Sequence, residues 1–225
     1  MKSLKIFGDS ILRGVIYSSE QQKYKLCDDC KFKSLASYDV DAHNYAKMGL
    51  TIDGGLNALH SKLDDCDENT TVLLEFGGND CDYKWADVSA DPEGSFVPNT
   101  PADAFVEKYS DAIEFARSRG ATVAVANLVP IDPVKYMKWI SRGLNYDNIM
   151  HWLGDVTMLS RWQEYYSRLT EQIAAMTGCR LLDLRNAFLL DHGFSDLLCA
   201  DGVHPTQRGH NIIKERITAF MQGAN

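Results

Sequence analysis

Thr71-Val72-Leu73-Leu74-Glu75-Phe76 runs directly into Gly77-Gly78-Asn79-Asp80. The first six residues are short, apolar and bounded by turn formers, as a strand buried on both faces should be. Gly-Gly-Asn-Asp then forces a tight turn at its C-terminal end. A strand of this kind belongs in a parallel sheet with helices on both sides. Working outward, Thr122 to Ala126 (TVAVA) has the same character, and Leu4 to Phe7 reads as a first strand. Tyr38 to Tyr45 alternates Tyr38, Val40 and Ala42 against Asp39, Asp41 and His43, and Leu181-Leu182-Asp183-Leu184 offers a fifth strand.

Helical stretches separate these runs. Thr100 is placed to cap a helix that begins at Pro101, with Asp103 at the capping-box position and Gly120 as the stop. Its apolar stripe is Phe105, Tyr109, Ala112, Ile113 and Ala116. A second helix is expected from about Thr157 to Thr177, ending at Gly178, with Trp162, Tyr165, Leu169, Ile173 and Met176 on one face. A last helix follows Pro205 and buries Ile213, Ile217 and Phe220. Strands alternating with helices in this way predict an α/β fold. Two stretches, Cys81 to Asn99 and Asp132 to Val156, exceed the usual loop length. Both follow strand C-termini, the edge at which open α/β sheets bind ligands. Both are aromatic, so they either clamp themselves down as satellite clusters or wall a substrate cleft.

The chain has 225 residues, 45% hydrophobic and 24% charged, which suits one domain over residues 1–225. A formal charge of −8 argues against a nucleic-acid partner. No apolar run has the length of a membrane span, and the apolar part of the N-terminus is too short for a signal peptide, so a cytoplasmic protein without a membrane partner is expected. Among the six cysteines only Cys27 and Cys30 form a CxxC pair. Asp28 and Asp29 separate them and no second pair follows, so incidental or structural thiols are expected rather than a metal site.

Four short segments carry candidate chemistry. Gly8-Asp9-Ser10 sets a serine at a strand-to-helix junction, although such a tripeptide is also an ordinary turn. Asp201-Gly202-Val203-His204-Pro205 puts a carboxylate and an imidazole in one loop, where the histidine can act as base for a serine and the aspartate can orient it. A plain helix cap is the other reading. Asn79 can offer its amide to a tetrahedral oxyanion, and Gly49 a backbone N–H, or each can be only a turn residue.

In this order, GDS with Gly14, Gly49 preceded by Asn44, GGND at 77 to 80 and DGVHP at 201 to 205 resemble the blocks of the SGNH hydrolases, also called GDSL esterases and lipases. The resemblance runs from Leu4 through the last helix. It implies a three-layer α/β/α sandwich with a flavodoxin-like, five-stranded parallel sheet. It implies Ser10 as nucleophile, His204 as general base and then acid, and Asp201 as its partner, with an oxyanion hole from Ser10 N–H, Gly49 N–H and the Asn79 amide. Asp9 and Asp80 are expected to shape the loops. Asp9 is also a candidate substrate contact, with Trp85, Trp139, Tyr146 and Trp152. Neither a metal nor a cofactor is expected.

The activity expected is hydrolysis of short-acyl esters, with O-acetyl carbohydrates suggested by the rings. An acyltransferase on the same site and a non-catalytic carbohydrate- or ligand-binding module are the alternatives. A nucleotide or flavin binder is disfavoured, because no glycine-rich phosphate loop is present. The remaining histidines, His43, His60, His151, His192 and His210, are read as surface or core residues, His151 alone standing out for its place in the aromatic insertion.

Overall fold

The computed structural model describes residues 1–223. A parallel sheet of five strands has the order β4-β1-β5-β6-β7. These strands are β1 (Lys2–Gly8), β4 (Val40–Asn44), β5 (Thr70–Glu75), β6 (Thr122–Ala126) and β7 (Arg180–Leu182). Counted along the sheet-forming strands this is 2-1-3-4-5, the flavodoxin-like order, so the α/β/α expectation holds. The first strand sits in the interior, flanked by β4 and β5.

Residue alternation along the strands divides the core in two. Leu4, Ile6, Leu73 and Ala124 face one side, where they meet α9 (Gln207–Gln222) through Ile213, Ile217 and Phe220. Phe7, Val72, Leu74 and Val123 face the other. There they meet α2 (Ile52–Lys62), α4 (Ala102–Ser118) and α7 (Met158–Thr177). Tyr109 is buried among them, and its hydroxyl donates to the Leu74 carbonyl at 3.1 Å, so that hydroxyl is not stranded. Among the described residues no helix is long and apolar enough to cross a membrane.

Several local expectations need correction. The strand expected over Tyr38 to Tyr45 is confined to Val40–Asn44, because Lys33–Tyr38 winds into a 3-10 turn that Asp39 closes at φ 58°. The fifth strand begins one residue early and ends at Leu182, because the Asn127 side chain takes the Leu184 and Arg185 N–H groups. Pro101, not Thr100, stands at the cap of α4, and Thr100 is buried. On α7 the buried stripe runs through Tyr166, Leu169 and Ile173, while Tyr165 and Met176 are exposed. The core side of that helix is rotated by one residue from the expected face.

Two features were not read from the sequence. A hairpin of β2 (Val15–Ser18) and β3 (Lys23–Leu26) follows the short helix α1 (Ser10–Arg13). The long insertions are helical, giving α3 (Trp85–Ala90), α5 (Pro133–Ile140) and α6 (Tyr146–Leu153). Asp132 caps α5 by accepting from the Val134 and Lys135 N–H groups, with Pro133 in the first turn. The three helices bury Trp85, Val88, Met137 and Ile149 in a core of their own. A five-residue helix, α8 (Arg185–Leu189), precedes the loop to α9.

Candidate active site

The C-terminal ends of β1, β4 and β5 converge where the strand order reverses, the usual ligand crevice of such sheets. A cavity of about 460 Å³ opens there and is lined by Ser10, Gly49, Asn79, Asp201 and His204 together. The five residues expected from the sequence to act on an ester therefore meet at one place.

Ser10 is the first residue of α1, so its backbone N–H lies among the helix-start donors that no turn of the helix can satisfy. Among the described residues neither the Ser10 nor the Gly49 N–H finds an acceptor. Gly49 holds φ 78°, while an added Cβ there would touch nothing within 4 Å. Backbone conformation, not crowding, makes it a glycine. The Asn79 amide also lines the cavity, but both of its hydrogens are engaged. Nδ2 donates to Asp9 Oδ2 at 2.9 Å and to the Leu50 carbonyl at 3.0 Å.

His204 and Asp201 are both buried. His204 Nδ1 lies 2.7 Å from Asp201 Oδ2, and Asp201 Oδ1 accepts the N–H groups of Val203 and His204, each at 3.1 Å. Burial alone would raise the Asp201 pKa. The hydrogen bond and charge of His204, with the two backbone donors, outweigh it and hold this carboxyl below its ordinary value. Asp201 therefore does not serve as the cap of α9, which is Thr206. His204 Nε2 is buried without a hydrogen-bond partner. Ser10 Oγ makes no hydrogen bond to it among the described residues, so the two groups share a cavity wall and remain unengaged. The ring of Tyr24, on β3, stands edge-on to the imidazole with centroids 5.1 Å apart.

The loop carboxyls have structural partners. Asp9 Oδ1 accepts the Ile11 N–H at 2.8 Å and caps α1. Burial raises the Asp9 pKa to about 6. Glu75, at the end of β5, is fully buried beside it. Burial first, and the Asp9 charge second, push the Glu75 pKa well above the ordinary range. Glu75 Oε2 is buried without a hydrogen-bond partner. Asp80 accepts the Ile52 N–H at 3.0 and 3.2 Å, a carboxylate at the start of α2, and burial raises its pKa to about 6. Asp9 and Asp80 thus both shape loops, as expected, although Asp9 also reaches the cavity wall.

Trp85, Trp139 and Trp152 line the cavity, whereas Tyr146 is 48% exposed and does not. Its helix turns it outward while Ile149 faces in. His151 lies on the exterior against Glu93, at 2.7 Å. Tyr24, Glu75, Asp82 and Gln163 line the cavity without having been singled out, and Trp162, expected only in a core stripe, lines it too. Glu75 carried a usable signal, a carboxyl inside an otherwise apolar strand. Tyr24 carried none, because its hairpin was not read. Among the described residues no group of three metal-ligating side chains comes together, and all six cysteines are free thiols. Cys27 and Cys30 pack beside Gly14, where an added Cβ would fall 2.7 Å from Cys27 Sγ.

Residues 6–212 match the profile of the GDSL-like lipase/acylhydrolase family. Solved structures share the fold at low identity. A lipase/acylhydrolase from Enterococcus faecalis is 18% identical, with a TM-score of 0.66 over 99% of this chain and 96% of its own. The esterase EstA from a Pseudoalteromonas species is 18% identical, with a TM-score of 0.61 over 99% and 98%. An acetyl xylan esterase from Geobacillus stearothermophilus is 18% identical, with a TM-score of 0.65 over 100% and 96%. No curated protein matches the chain in sequence.

Proposed function

The chain belongs to the GDSL-like lipase/acylhydrolase family, and on that premise we propose that it hydrolyses short-acyl carboxylic esters through Ser10, His204 and Asp201. The observation that carries this reading is the state of His204. Its Nδ1 is held by Asp201 while its Nε2 is buried and unpartnered, and His204 lines the same cavity as Ser10. An imidazole fixed in this way presents its free nitrogen as a base.

In the proposed reaction Ser10 Oγ attacks the ester carbonyl and passes its proton to His204 Nε2. The oxyanion takes the two unpaired N–H groups, Ser10 and Gly49. Asn79 Nδ2 joins them by turning one hydrogen away from Asp9 or Leu50. A donor of this kind is worth roughly 10²–10³ in rate. His204 then protonates the leaving alcohol, and water releases the acid by the reverse path. O-acetyl groups on carbohydrates belong to the same proposed class, supported by the ring-lined wall.

The test is hydrolysis of p-nitrophenyl esters from acetate to decanoate by the wild type and Ser10→Ala, with fluorophosphonate labelling in parallel. Activity that falls with chain length and disappears in Ser10→Ala supports the proposal. Absence of both turnover and labelling overturns it and leaves a binding module.

A further inference from the structure

Beside the cavity that holds Ser10 and His204 lies a second groove, of about 550 Å³, whose charge runs against that of the chain. Arg13, Lys25, Lys47 and Lys62 line it and no carboxylate does, in a protein with 23 basic and 31 acidic side chains. The four come from separate places: the end of α1, the strand β3, the loop after β4 and the end of α2. Among the described residues no hydrogen bond or ion pair engages any of their charged groups. The acids of the elements around the groove are occupied elsewhere. Asp41, on β4, pairs with His43 at 2.9 Å, and Asp53, on α2, pairs with Lys108 at 2.6 Å.

Isolated surface lysines are ordinarily just solvated, but this groove is not a plain polar surface. Tyr24, Leu26 and Met48 line it while 37%, 45% and 50% exposed, beside the buried Val15 and Ala46. Apolar side chains grouped at a surface and rimmed by polar ones are the usual mark of a ligand groove. Cations around an apolar floor suit an amphiphilic anion, whose apolar part covers the floor while its charged end meets the rim.

The groove adjoins the proposed chemistry. Tyr24 and Met48 border both depressions, and both are exposed, so the ridge between them is open to a ligand lying across it. The Tyr24 ring is 5.1 Å from that of His204, and Met48 immediately precedes Gly49, the proposed oxyanion donor. One molecule can therefore present an ester to Ser10 while its far end lies among the cations. A neutral ester would leave those charges unused. A carboxylate brings a single charge, whereas a phosphate monoester brings roughly two at neutral pH, with three acceptor oxygens for donors arriving from several elements. We propose that the substrate is a soluble ester bearing a phosphate on an apolar arm, the arm passing Tyr24 and Met48 and the phosphate bound by Arg13, Lys47 and Lys62. The proposal rests on the ester-hydrolase reading for its chemistry, and on the groove alone for its charge preference.

Hexyl phosphate, heptanoate and 1-hexanol share one alkyl chain and test it as inhibitors of p-nitrophenyl acetate hydrolysis at matched ionic strength. Hexyl phosphate is expected to show an inhibition constant about tenfold below that of hexanol, narrowing to about threefold in Lys47→Gln/Lys62→Gln. Both substituted positions are exposed, so the fold should tolerate the change. Equal inhibition by hexanol, or a gap that persists in the double variant, overturns the proposal. Heptanoate as strong as hexyl phosphate overturns the choice of phosphate. Calorimetric titration of hexyl phosphate into Ser10→Ala needs no turnover. Saturable binding there, with no esterase activity in the wild type, retains the anion site and removes the ester chemistry. Absence of binding there, with wild-type turnover of p-nitrophenyl acetate intact, removes the anion site alone. Binding only to vesicles of phosphatidylcholine with phosphatidic acid assigns the cations to a lipid surface and overturns a soluble substrate.

Discussion

Glu75 and Asp9 adjoin across the pairing of β1 with β5, Glu75 standing in register opposite Gly8, and the Asp9 charge adds to burial in raising the Glu75 pKa. Through Asp9 this contact reaches both the Ile11 N–H and the Asn79 amide. Glu75→Gln offers Asp9 an amide donor and is expected to retain kcat within a few-fold. Glu75→Leu offers the buried Asp9 carboxyl no polar partner, at a cost of roughly 1–3 kcal/mol, and lets the Asn79 amide drift. Chemical denaturation and kcat/KM on one p-nitrophenyl ester check both. Equal behaviour of the two variants would show that Asp9 needs no polar partner there.

Asp201→Asn tests the orientation of His204. The carboxylate fixes Nδ1 as the protonated nitrogen, and an asparagine can present its N–H there instead and select the wrong tautomer. A fall in kcat of about 10³- to 10⁴-fold is expected on the proposed mechanism, with KM nearly unchanged. Unaltered turnover would remove Asp201 from the reaction.

His210 sets an acid limit on stability. Its ring is buried, Nε2 lies 3.0 Å from the Val15 carbonyl, and burial lowers its pKa to about 4 from the usual 6.5. The unfolded chain therefore binds the proton first. Stability from the neutral ring is complete above pH 6.5 and lost as pH falls toward 4, by roughly 3 kcal/mol over that window. Asp9 and Asp80 act with the opposite sign. Their folded values near 6 favour the folded state at low pH, and that contribution is lost as pH rises from about 4 through 6. Urea midpoints of the wild type and His210→Gln between pH 4 and 7 separate the terms. The variant should lose less stability on acidification.

Two glycines with similar backbone angles should respond differently to alanine. At Gly202, φ 74°, the new Cβ would meet the Tyr136 nitrogen at 2.5 Å and the Asp132 carbonyl oxygen at 2.6 Å. Gly202→Ala must push the Asp201–His204 loop away from the start of α5, so both stability and activity should fall steeply. At Gly49 the space is open. Gly49→Ala should cost only about 1–2 kcal/mol of backbone strain, while kcat falls more than stability. Melting temperatures alongside kcat would expose either expectation as wrong.

The sheet was readable because its strands are buried on both faces, so apolar runs such as Thr71 to Phe76 stand out without their context. The site was readable because its residues sit at strand ends in separate, recognisable turns. The hairpin that carries Tyr24 was not, since the alternation of Lys23 and Lys25 with Tyr24 and Leu26 spans only four residues, all of them exposed. The first helix of the second insertion does carry a start signal in Asp132-Pro133, a cap followed by a first-turn proline. Tyr146 illustrates the limit of composition. A ring in the right insertion still faces outward when helical phase puts its neighbour Ile149 in the core.

The hairpin strand β2 and the final helix are tied by contacts between residues far apart in the chain, such as Val15 with His210, 195 positions on. Loop closure of that span must come before any reward from packing. Ser10 and His204 lie just before these two elements, so the proposed catalytic pair assembles only when both segments have found each other. On the proposed mechanism, activity is consequently a report on completion. A nascent chain, or one cleaved and separated within the intervening sequence, holds half of the pair, and recovery of turnover after denaturation times the last long-range docking event.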